Sequence, residues 1–184
     1  MASISISPEK FTMVLFETDR IRELVSEVAA KVGVDVDIDI DVDEASALGR
    51  ARVISAVPVK LWIQGGALED PKRPRHLADH NVIEVFGRLL HRVKDRLDPA
   101  FGDPPPDDEL TLQQSTALDA YCMGRLQRLG YQVAKPRRLY HFRNRHGFSD
   151  VADAAFERLW NADGLTWADI EAVCAETEAA RAAV

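Results

Sequence analysis

Residues 34–43 alternate without a break: Val34, Val36, Ile38, Ile40 and Val42 against Asp35, Asp37, Asp39, Asp41 and Asp43. Period-two alternation is the mark of a half-buried strand, because successive side chains point to opposite faces. The pattern predicts a strand from Val34 to Val42 with its aliphatics buried and its aspartates in water. A one-residue slip would put the carboxylates in the core, so the facing is strongly specified. Residues 51–63 predict a second strand. Val53, Val57, Val59, Leu61 and Ile63 share one face, and Arg52, Lys60 and Trp62 the other. Pro58 marks an edge or a bulge. With 44–50 as the connection, the simplest assembly is a hairpin that Gly65-Gly66 ends. Residues 11–16, FTMVLF, read as a possible third strand, or as part of one long helix over 8–32.

Elsewhere the apolar positions recur at helical spacing. Ile21, Leu24, Val25, Val28 and Val32 predict a helix opened by Thr18-Asp19 and closed at Gly33. Val82, Phe86, Leu89, Val93 and Leu97 predict another over 77–97. Residues 98–109, DPAFGDPPPDDE, suit neither helix nor central strand, and the three prolines make a stiff connector. Thr111 and Gln114 form a capping-box pattern that opens a helix to about Gly130. Residues 131–146 read as irregular or as a short strand. Ser149 caps a helix to Trp160, and Thr166 opens the last one. The expected fold is α+β: an N-terminal β-hairpin, or three strands, with about five helices and a mostly helical C-terminal half. The organisation expected is 1–102 as the α+β part, 103–108 as connector and 109–184 as the helical part, packed as one unit.

Charge changes this picture. The chain has 184 residues and a net charge of −7, with its positive charge concentrated in the middle. Residues 71–146 are net +5, against −6 on each flank. The whole protein is thus not a nucleic-acid coat, but an open basic surface for an anion remains. Two cysteines, Cys122 and Cys174, cannot build a disulfide framework, which points to a reducing compartment. No apolar run approaches the ~20 residues of a membrane span, and the N-terminus lacks a signal-peptide pattern. A cytoplasmic protein without membrane attachment is expected.

Two groups of side chains carry candidate chemistry. Segment 135–146, KPRRLYHFRNRH, interleaves cations with aromatics. Arg137, Arg138, Arg143 and Arg145 would hold phosphates while Tyr140, His141 and Phe142 meet bases. If extended, it sets Arg137, His141, Arg143 and Arg145 on one face and Arg138, Tyr140 and Phe142 on the other. The competing reading turns Leu139, Tyr140 and Phe142 into the core and pairs the arginines with the acidic flanks. The metal candidate is His76, Asp79, His80 and Glu84. His76, His80 and Glu84 are four residues apart and form one ridge on a helix. Solvated helix surface is the competing reading there.

Other patterns close quickly. Adjacent aspartates on one face of the ladder lie roughly 6.6 Å apart, too far to share a calcium ion easily. An outward row of charge instead discourages edge-to-edge pairing. The run Asn161-Ala162-Asp163-Gly164 is similar to a calcium loop, but Ile170 stands where such a loop needs a bidentate Glu. The helix from Thr166 to Thr177 is too acidic for a major groove. Gly65-Gly66 lacks the rest of a phosphate loop. Cys122 and Cys174 read as core. No cofactor and no catalytic residue is expected. The function expected is non-enzymatic binding of an anionic partner, nucleic acid or an acidic protein surface, through 135–146. The alternative is a metal-dependent enzyme at His76, Asp79, His80 and Glu84.

Overall fold

A computed structural model describes residues 2–183. The chain is α+β and divides into two compact units after Leu97. The first runs β1 (Ile4–Ser7), α1 (Thr18–Val32), β2 (Ile38–Asp43), β3 (Ala51–Ala56), β4 (Val59–Gln64), β5 (Glu69–Asp70), β6 (Arg73–Leu77) and α2 (Asp79–Leu97). The strand order of its main sheet is β1-β2-β4-β3, and β5–β6 is a separate small hairpin.

The aspartate strand keeps the facing that its alternation demands. Ile38, Ile40 and Val42 are buried, whereas Asp39 and Asp41 are exposed. Burying each aliphatic contributes about 1.5–3 kcal/mol, which outweighs strand propensity in choosing the face. α1 packs on β1, α2 on β3, and the two helices on each other, so they cover this apolar face. The Arg20 guanidinium joins the helix starts through Asp79 at 2.6 Å. At the other end Gly33 takes φ 84°, the left-handed turn that frees α1 to stop, and Lys94 Nζ donates to Val32 O at 2.7 Å.

Several expectations for this unit are corrected. The strand starts at Ile38 and not at Val34, and Val36 is 39% exposed. Residues 51–63 are two antiparallel strands that turn at Val57-Pro58, not one. The hairpin is therefore β3–β4, while β2 runs parallel to both β1 and β4. Alternation fixes which face is buried but not the direction of the partner, so both assemblies satisfy it. The aspartates consequently lie on an inner strand and do not shield an edge. Residues 11–16 form a loop with one bridge, Leu15 to His76, rather than a third strand.

The second unit holds α3 (Leu112–Arg128), α4 (Lys135–His146), α5 (Asp150–Asn161) and α6 (Trp167–Ala182). The capping box read at Thr111 is present, with the Gln114 N–H donating to Thr111 Oγ1 at 3.1 Å. A second box opens α6 at Thr166 and Asp169. Phe101 is buried, and its carbonyl accepts from Trp167 N–H at 2.7 Å. α3 approaches α5 closely at Gly124, where an added Cβ would sit 1.9 Å from Trp160 O. The core is Tyr121, Phe142, Phe156 and Trp160 with Leu118, Leu126 and Leu159. Among the described residues no helix is long and apolar enough to cross a membrane.

Candidate functional site

Segment 135–146 is helix α4, which corrects the extended reading. Its composition supplies the reason. It contains no β-branched residue, Pro136 sits in the first turn where its missing N–H costs nothing, and Gly147 follows the last residue with φ 104°. Helical winding regroups the side chains. Phe142 and His146 turn inward, four apart, with Leu139 half-buried beside them. Arg137, Tyr140, His141, Asn144 and Arg145 are exposed and form the opposite stripe.

Phe142 therefore leaves the candidate surface. It is 0% exposed, stacks on His146 with centroids 3.8 Å apart, and meets the edge of Phe156. Arg143 is turned to structure as well: its Nε and a terminal nitrogen reach Asp153 at 2.8 and 2.6 Å. That fork holds the Asp153 carboxyl below the usual carboxylate range. Lys135 pairs with Glu157 at 2.8 Å and lies over the Trp160 ring. Arg138 is half-buried. Exposed on this helix is a ridge of Arg137, His141 and Arg145 at four-residue intervals, about 12 Å long at 1.5 Å per residue. Among the described residues the side chains of Arg137 and Arg145 meet no carboxylate.

Beside the ridge lies an aromatic pair that sequence reasoning half missed. Tyr140 is 58% and Phe148 66% exposed, with their rings edge-to-face at 6.2 Å. Phe148 falls two residues past the basic run. Only its place after the Gly147 turn marks it, and that turn is legible once α4 is read as a helix.

Under the ridge, His146 ties three helices together. Its Nε2 lies 3.0 Å from Gln113 O, and its Nδ1 lies 2.7 Å from Thr177 Oγ1. A carbonyl only accepts, so in the neutral ring Nε2 carries the proton and Nδ1 is the acceptor facing the Thr177 hydroxyl, which also reaches Cys174 O at 3.0 Å. Burial holds the ring's pKa below the ordinary 6.5, because the charged form loses its water. The folded state thus binds fewer protons than the unfolded chain once pH falls below about 6.5. Stability contributed by the neutral ring is present above that value and lost as pH falls toward the folded pKa. Melting the protein from pH 7.5 down to 5 should show this decline, and His146→Gln should flatten it. An equally steep decline in the variant would assign it to other groups.

The metal candidates are not brought together. His76 lies in β6, Asp79 is held by Arg20, and His80 Nε2 meets Glu84 Oε1 at 3.3 Å. Glu84 is 4% exposed, not solvated as the helix stripe suggested. Among the described residues no three His, Cys, Asp or Glu side chains converge as a metal site. Cys122 is buried, and burial pushes the Cys174 thiol up to about 11, far from a nucleophilic thiolate.

The chain matches no protein-family model, no curated protein and no solved structure.

Proposed function

We propose that this is a non-enzymatic cytoplasmic protein that binds an anionic partner through the outer side of α4, with single-stranded nucleic acid favoured over an acidic protein surface. The observation that carries the proposal is the Arg137–His141–Arg145 ridge lying beside the exposed Tyr140–Phe148 pair. Two open guanidiniums supply attraction to phosphates, and the rings supply faces on which bases stack. The helix carries no carboxylate of its own, and with Lys135 and Arg143 paired to Glu157 and Asp153, Arg137 and Arg145 give its outer side positive charge within a chain that is net negative.

Titrating a labelled single-stranded oligonucleotide at several salt concentrations tests this. Affinity should fall linearly on a log–log plot, by about 0.7 in slope for each phosphate neutralised. Arg137→Ala with Arg145→Ala should flatten that slope by about 1.4. Tyr140→Ala should cost about 1–3 kcal/mol of binding if a base stacks there. Salt-independent binding, or none, overturns the proposal. Binding to a polyglutamate peptide alone would move the partner to an acidic protein.

A further inference from the structure

A second surface lies on the first unit, independent of α4. β1 is one edge of the four-stranded sheet. Its ladder to β2 is parallel, and Ile38 N–H donates to Ser3 O at 2.9 Å. Alternation along that ladder turns the backbone groups of Ser3, Ser5 and Ser7 toward β2 and those of Ile4 and Ile6 outward. Among the described residues one outward group is taken: Ile4 O accepts from Arg22 Nε at 3.2 Å. The Ile4 and Ile6 amides and the Ile6 carbonyl are left facing a cavity of about 1080 Å³ that runs along the strand. Phe11, Val14, Leu15 and Phe16 give it an apolar wall, with Phe11 and Phe16 edge-to-face at 5.5 Å, and Glu9, Lys10, Glu17, Asp19 and Arg22 line it as well.

The cross-strand register supplies the chemistry of the occupant. Ser5 stands beside Asp39, to which its hydroxyl donates, and Ser7 beside Asp41 on the open face of the sheet, where Lys60 of β4 lies on the other side of Asp39. A strand added outside β1 would lie about 9.6 Å from β2, two strand spacings. A bulky residue on β1 would block that span, but serines do not. A lysine or arginine stem lying over them brings its charge to the aspartates. Alternate residues of the same added strand would face the apolar wall.

We infer that the free edge of β1 accepts an extended peptide segment of alternating basic and apolar residues from a partner protein. Main-chain bonds to Ile4 and Ile6 give it affinity, and Asp39, Asp41 and the Phe11–Phe16 wall give it register. The aspartate ladder is then a recognition row placed one strand inside the edge.

The test uses the full chain, labelled with ¹⁵N, and the peptide acetyl-Lys-Val-Lys-Val-Lys-Val-amide. Amide shifts should move at Ile4 and Ile6 and through residues 9–17. A peptide N-methylated at alternate residues should bind at least about tenfold more weakly, as should an Asp-for-Lys version. Ile4→Pro removes an outward N–H without touching the β2 ladder and should weaken binding similarly. Should its spectrum show a disturbed sheet, Asp39→Asn with Asp41→Asn takes its place, with the same loss expected for the lysine peptide. Equal affinity of the N-methylated peptide, shifts centred elsewhere, or no shift at millimolar peptide overturns the inference.

Discussion

Phe142→Ala is expected to destabilise the helical unit by about 3–5 kcal/mol in denaturant unfolding, the usual cost of emptying a fully buried aromatic site. The ring is inaccessible, stacked on His146 and set against Phe156, so its removal opens a void among α4, α5 and the His146 bonds. Tyr140→Ala, two residues earlier on the same helix, should change stability by no more than about 0.5 kcal/mol, because its ring is mostly in water. The pair separates scaffold from surface on one element. A reversed order, Tyr140 costly and Phe142 neutral, would mean that α4 presents the opposite side.

Gly124→Ala should also destabilise, although helix propensity argues the other way. Alanine exceeds glycine by about 1 kcal/mol in an exposed helix interior. At Gly124 the new methyl would lie 1.9 Å from Trp160 O and 2.7 Å from its carbonyl carbon. Those are backbone atoms of α5, which cannot rotate aside, so the two helices must separate. Overpacking of this kind costs typically about 1–3 kcal/mol, and the backbone contact places this site at the upper end. Thermal unfolding followed by circular dichroism reads it directly. A raised melting temperature would show that α3 and α5 do not approach this closely.

These sites also show how far the sequence could be read. The facing of the aspartate strand was legible, because burying carboxylates is costly enough to leave one choice. Its neighbours were not, since a parallel crossover through α1 and an antiparallel hairpin demand the same alternation. The turn at Val57-Pro58 hid inside a run that looks continuous because Val57, 78% exposed, has the residue type of a core position. α4 was misread because its cations interleave with aromatics in a way that imitates an extended strand. Absence of β-branched residues and the Pro136/Gly147 bracket were the better guides. Both readings of the basic segment then proved partial: Phe142 and Arg143 serve the scaffold, while Arg137, Tyr140, His141 and Arg145 stay at the surface. His146 could not have been assigned at all. Its partners Gln113, Thr116 and Thr177 lie on two other helices, and no spacing in the chain links them.

The parallel pairing of β1 has a consequence for the order in which the sheet assembles. β3 and β4 are joined by a two-residue turn and close a short loop. β2 reaches β4 over a longer excursion, and β1 reaches β2 only after α1 has been threaded between them. Loop-closure entropy rises with the length enclosed, so the sheet should nucleate at the β3–β4 hairpin and grow outward through β2. β1, four residues long and bonded on one side, joins last and opens first. A segment docking along its outer edge would give β1 a second neighbour and turn the last-formed strand of the sheet into an interior one.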